Sequence, residues 1–203
     1  TIRRPGASTS DPGLLEATLA FAGPDGKTLG TKGTTATGTA ALSSVRVPFS
    51  GLERPLGRGL HEVRATVVVR PPGAGTPALR LETRSGFWVY DASMLAGGTP
   101  LLASKDGFSR RGRPFPVLGT TYMASDVHRR FLLEPNPSVW NRDFGQMKAA
   151  GVNLVRTGIW TGWKRYMPDI GRLDESTLRA LDVFLLTARQ HDIPVIFNFF
   201  AFL

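Results

Sequence analysis

Arg156 stands at the end of a short apolar run, Val152 to Thr157, of the kind that forms a buried strand. A guanidinium held at a strand end can donate two hydrogen bonds to a carboxylate and keep it ionised. The plain alternative is an ordinary salt bridge. Trp160, Trp163 and Tyr166 follow in the next loop. Aromatic faces pack against the C–H surfaces of sugar rings, so exposed rings here would line a sugar site; large aromatics equally pack a loop onto its own protein. Asp126 and His128 follow an earlier strand candidate, Val117 to Met123. They could hydrogen-bond hydroxyl groups, although a loop Asp or His more often makes a contact within its own turn. Asn198 interrupts the apolar run Ile193 to Phe200. A buried amide there either orients a ligand or pairs with a neighbour, because it needs partners in both cases. His61 and His191 read as structural. Asp169, Asp174 and Glu175 are the acids nearest to Arg156 on its C-terminal side, and the last two suit a helix N-terminus rather than a catalytic pair.

Composition narrows the classes. The chain has 203 residues, 41% hydrophobic and 20% charged, enough for one large or two small domains. There is no cysteine, which excludes disulfides, thiolate metal sites and cysteine nucleophiles. No His and carboxylate spacing fits a metal site. The net charge of +9 invites a nucleic-acid reading. The basic residues are scattered, however, with runs no longer than pairs such as Arg110-Arg111 and Arg129-Arg130, so no nucleic-acid partner is expected. No apolar run reaches the roughly 18 residues that cross a bilayer, so no membrane partner is expected either. The apolar stretch from Ile193 to Leu203 reads as an interrupted strand, and the sequence is expected to be a piece of a longer protein. Oligomeric state does not follow from the sequence.

The elements that must hold these residues fall into two patterns. Residues 1–13 are polar and rich in Gly and Pro, as in a linker or frayed end. Short β-type runs follow: Leu15 to Phe21, Ala41 to Phe49, Gly59 to Val69 and Ala78 to Tyr90. In the third, Val63, Ala65, Val67 and Val69 alternate with Glu62, Arg64 and Thr66. Strands at this spacing predict a β-sandwich over 14–91. Residues 92–104 read as a linking loop containing Gly97-Gly98. Asp106 to Leu118 reads as a hairpin turning at Arg111-Gly112. Two strand–helix units come next. Asn136-Pro137 opens a helix carrying Trp140, Phe144, Met147 and Ala150, and Gly151 stops it. Asp174 caps a second helix carrying Leu178, Leu181, Leu185 and Ala188. Strand starts near 117, 153 and 193 give repeats of roughly 40 residues, which suit the first three units of a (β/α)₈ barrel over 105–203. A doubly wound sheet has the same local pattern, without a glycine-rich phosphate loop after the first strand here.

Three stretches stand out from Gly107 onward: Arg111-Gly112-Arg113-Pro114-Phe115, Leu118-Gly119-Thr120-Thr121-Tyr122, and Phe144 with Gln146 through Arg156. In these the sequence resembles clan A glycoside hydrolases of the family 2 β-galactosidase/β-mannosidase type and the family 5 cellulase/mannanase type. The stretch Glu82 to Phe87 is similar to the exit from the family 2 sandwich. The resemblance implies a TIM barrel after the sandwich and a retaining glycosidase acting on β-linked sugars without a cofactor. Arg156 would then be the arginine that supports the nucleophilic carboxylate. It further implies that the acid/base follows strand four and the nucleophile strand seven, both beyond Leu203. A secreted or periplasmic location is favoured over a cytoplasmic one. The alternative from another class is a non-catalytic carbohydrate-binding or scaffold protein.

Overall fold

The computed structural model describes residues 13–38, 55–70, 79–160 and 162–199. The chain divides into two compact units, Thr1–Gly86 and Phe87–Leu203. The expected strand at Ala41 to Phe49 and residues 1–12 lie outside the described residues.

The first unit is built on one antiparallel sheet with strand order β2-β1-β3-β4. Its strands are β1 (Gly13–Ala22), β2 (Thr28–Gly38), β3 (Gly59–Arg70) and β4 (Leu79–Val89), the last running on into the second unit. The β1–β2 turn follows from Gly23-Pro24-Asp25-Gly26. The Asp25 carboxylate accepts from the Lys27 N–H at 3.1 Å, and Gly26 takes a left-handed φ of 74°. In the β1–β3 register Ala17 faces Val67 and Leu19 faces Ala65, so the expected alternation of β3 does face its neighbour's apolar side. Val67 and Ala17 are buried there, and the buried His61 holds the Gly57 carbonyl at 2.7 Å, a structural role. The sheet of the described residues is compatible with one half of a β-sandwich.

The second unit begins with a small antiparallel sheet. Within 92–104, read above as a loop, Ala92–Ala96 forms a short helix, α1, and Leu102–Ser104 forms β5. The Asp91 carboxylate accepts from the Met94 N–H and supplies the helix cap that the loop reading passed over. β5 pairs with β6 (Gly107–Arg110), which turns into β7 (Arg113–Pro114). The turn is the one expected: Arg111 and Gly112 both have positive φ, 54° and 72°, as a two-residue primed turn requires.

Three parallel strands follow, β8 (Gly119–Thr121), β9 (Leu154–Gly158) and β10 (Val195–Asn198), in the order β10-β9-β8. They are linked by α2 (Pro137–Ala149) and, after the short α3 (Trp163–Tyr166), by α4 (Glu175–Gln190). Both long helices start where the caps predict. Asn136 accepts from the Val139 N–H with Pro137 behind it, and Asp174 accepts from the Thr177 N–H at 2.9 Å. The Ser176 hydroxyl, then the Thr177 side chain and amide, hold the Asp174 carboxyl below its ordinary range. The helix α4 ends at His191 and leaves through Asp192, a non-glycine residue at φ 54°. The Asp192 carboxylate meets the Arg110 guanidinium of the hairpin at 2.8 Å and that of Arg111 at 3.6 Å.

The helices α2 and α4 pack on each other, so they share one face of the parallel sheet. Between them and the sheet lies a cluster of rings with Phe184 of α4 at its centre. Tyr122, Phe131, Trp140 and Phe144 surround it at centroid separations of 5.6, 5.0, 5.4 and 5.4 Å. Phe184, Phe131, Trp140 and Phe144 are wholly buried. At the edge of this cluster His191 stacks on Phe144, and its Nε2 meets the Asn141 side-chain oxygen at 2.7 Å. Burial, and then the Lys148 charge, push the His191 pKa below its ordinary value of 6.5.

Two outcomes follow. Phe184→Ala leaves a cavity between four rings and should cost about 3–5 kcal/mol of unfolding free energy, read by urea denaturation of the second unit. His191 has a depressed folded pKa, so its contribution is complete above pH 6.5 and is lost as pH falls through the folded value. Stability should therefore drop as pH falls below 6.5, and His191→Gln should shrink that drop; an equal drop in both proteins would exclude His191 as its source.

Candidate functional site

The three parallel strands present two faces. Val155 and Thr157 of β9 point into the ring cluster, and the Thr157 hydroxyl donates to the Tyr122 carbonyl at 2.9 Å. Strand alternation turns Leu154, Arg156 and Gly158 to the other face. The register aligns Thr121 of β8 and Ile196 of β10 with Arg156, and Asn198 with Gly158. The side away from the helices therefore carries a row Thr121, Arg156, Ile196, with Asn198 one step further along. An open depression of about 250 Å³ is lined by Gly119, Thr120, Thr121, Leu154 and Arg156.

Arg156 does not close its strand. The structure makes it the middle residue of β9, because pairing continues through Gly158 to Asn198. That continuation needs a glycine. A Cβ at 158 would stand 2.3 Å from the Asn198 carbonyl oxygen and 2.7 Å from its Cβ. The Arg156 side chain is exposed, and its guanidinium lies 5.5 Å from the centre of the Trp160 ring, a cation–π arrangement. Among the described residues no carboxylate stands within ion-pair distance of it.

The other expected site residues divide. Trp160 is buried at 7% exposure, so its ring serves as a floor for Arg156 rather than an open platform. Trp163 opens α3, and Tyr166 at the end of that helix is buried, with its carbonyl accepting from the Asp174 N–H at 2.8 Å. Burial pushes the Tyr166 hydroxyl up in pKa, against the opposing charge of Arg165. Asp126 and His128 are exposed in the loop after β8. The Asp126 carboxylate accepts from the Val127 N–H at 2.8 Å, and His128 sits at φ 54° with its N–H bonded to the Ala124 carbonyl. Asn198 is half-buried at the end of β10 and accepts on its backbone oxygen from the Ile159 N–H at 3.0 Å. The structure thus brings Arg156, Trp160 and Asn198 to one region of the sheet, while Asp126 and His128 keep contacts within their own turn. Among the described residues no three His, Asp or Glu side chains stand close enough to hold a metal ion, and no helix is long and apolar enough to cross a membrane.

Two residues that carry the site were not singled out as such by the sequence. Asn153, just before β9, accepts from the Leu118 N–H at 2.9 Å and donates to the Pro116 carbonyl at 2.7 Å, which ties the starts of β8 and β9 together. Asp143 on α2 takes hydrogen bonds from Tyr122 and Ser125. Its signal was available: an aspartate in a helix interior, beside Trp140 and Phe144 on the apolar side, has poor helix propensity and needs a partner.

No protein-family model matches the chain, and no curated protein matches it. It is similar to several solved structures. One is an exo-β-1,4-mannosidase from Opitutaceae bacterium strain TAV5, at 19% identity over 55% of this chain and 18% of that one, with a TM-score of 0.40. A second is a β-glucuronidase from Bacteroides uniformis, at 18% identity over 87% and 19%, TM-score 0.32. A third is a glycosyl hydrolase family 2 member from Bacteroides cellulosilyticus, at 13% identity over 93% and 21%, TM-score 0.30. The chain spans about a fifth of the length of these proteins.

Proposed function

We propose that this chain forms the front part of a retaining glycoside hydrolase acting on β-linked oligo- or polysaccharides, with a β-sandwich over 14–91 leading into a TIM barrel over 105–203. The observation that carries the reading is Arg156. It stands on the strand face away from the helices, its guanidinium is laid over the Trp160 ring, and no carboxylate among the described residues pairs with it. A planar fork pre-set in this way suits a carboxylate brought in by another part of a barrel, and would keep that group ionised and ready to attack. Sequential parallel strands with both helices on one face support a barrel, in which the opposite face, the one that carries Arg156, would be the interior. The resemblance around Lys148 to Arg156 points the same way.

In this reading the catalytic glutamates are supplied by later strands. Retaining chemistry needs two carboxyl groups roughly 5–5.5 Å apart, one as nucleophile and one as general acid and base. Neither role is assigned to Asp126, Asp169 or Asp174, whose carboxylates accept from the adjoining backbone N–H groups of Val127, Ile170 and Thr177. In this reading Trp160 supports the arginine and Asn198 would meet sugar hydroxyls, with Asp126 and His128 offering further polar groups from the loop after β8.

The test is kinetic, on the complete protein with aryl β-glycosides. Arg156→Ala should lower kcat/KM on the order of 10²-fold with folding intact, the scale for removing a group that pre-organises charge in the transition state. Arg156→Lys should restore little, since an ammonium has no planar fork. Near-normal turnover in a folded alanine variant would return Arg156 to a structural role, and sugar binding without turnover in the wild type would favour the non-catalytic alternative. Residues 1–203 alone should hydrolyse none of these substrates; hydrolysis lost on changing Asp126 or Asp169 would move the active site into this chain.

A further inference from the structure

The loop that follows β8 is held by one buried carboxylate. Asp143 sits in the middle of α2 with its side chain 9% exposed. A carboxylate taken out of water is costly unless its lone pairs are filled. Here they are filled from both sides. The Tyr122 hydroxyl and the Ser125 N–H both donate to Oδ2, each at 3.1 Å. The Ser125 hydroxyl donates to Oδ1 at 2.8 Å. The Arg142 guanidinium lies 3.4 Å from the same Oδ1 and donates to the Ser125 hydroxyl oxygen at 2.8 Å. Burial and the Asp143 charge together push the Tyr122 hydroxyl far up in pKa, so it stays a donor.

The partners are unequal in place. Tyr122 belongs to the ring cluster, whereas Ser125 is the first exposed residue of the loop, next to Asp126. The loop then closes on itself through the His128 N–H and the Ala124 carbonyl at 2.9 Å. A rigid helix thus grips the loop at one residue, and Asp126 and His128 are carried by that grip. We propose that Asp143 is a positioning residue: it sets the 124–128 loop at the C-terminal end of β8 and, through that loop, the binding of substrate. The proposal rests on the glycosidase reading above for its substrate, and on the geometry alone for the loop.

Two measurements test it. Asp143→Asn keeps the shape but turns an amide N–H₂ toward donors that need an acceptor. In hydrogen exchange, the Ser125 and His128 amides should exchange roughly tenfold faster or more, with the α2 and α4 amides unchanged. Tyr122→Phe removes a bond on the core side of the same carboxylate and should leave loop exchange unchanged. In the complete enzyme, Asp143→Asn should raise KM for a β-glycoside about tenfold with kcat within about twofold, and Tyr122→Phe should leave KM unchanged. Loop exchange that does not change, exchange that rises equally in α2 and α4, or an active enzyme whose KM is unmoved would each overturn the proposal. If the wild-type protein cleaves no β-glycoside, the functional reading fails, and loop-specific acceleration in Asp143→Asn still upholds the positioning of the loop.

Discussion

The second unit is organised around the burial of Phe184. Four rings from three different segments converge on it: Tyr122 beyond β8, Phe131 in the following loop, and Trp140 and Phe144 on α2. Such contacts combine a large apolar area with edge-to-face and tilted geometries that each favour one arrangement. Because Phe184 lies on α4 and its partners lie on or before α2, this one side chain ties successive strand–helix units together. The position of the parallel strands, and hence of Arg156, depends on that packing.

The two faces of the parallel sheet divide the work. The helix side carries the apolar mass and the buried hydroxyl of Thr157. The opposite side carries Thr121, Arg156 and Asn198, with exposed or half-exposed polar groups. Alternation along the strand makes this separation possible, since neighbouring residues of β9 are free to serve packing and chemistry independently. Within β9, Gly158 answers to a local demand of its own, the close approach of the Asn198 backbone.

Sequence reading succeeded where local rules and tertiary demands agree. The caps at Asn136 and Asp174, the turn at Arg111-Gly112 and the alternation of β3 each follow from one or two residue types acting over a few positions. β2 was missed because Thr28 to Gly38 is mostly Thr and Gly, with little apolar signal; its pairing with β1 supplies what its composition does not. α1 was read as loop because five residues give no helical period, although Asp91 was a legible cap. The candidate site was legible in its residue types and less so in its relations. Nothing in the sequence says that Trp160 lies beneath Arg156, or that Asp143 faces Ser125, because those contacts depend on how β8, β9 and α2 are brought together.

The departure of the chain from α4 has a further meaning. Asp192 occupies a left-handed position that glycine would fill with less strain, and its carboxylate instead reaches Arg110 and Arg111 of the hairpin. The end of α4 therefore gauges distance as well as direction. A helix turns by about 100° for each residue it contains, so adding or removing a single residue within α4 would swing Asp192 away from both arginines while every local propensity stayed the same. The length of α4 is, in this sense, a coded quantity: its sixteen residues, Glu175 to Gln190, keep the hairpin and the third parallel strand in phase.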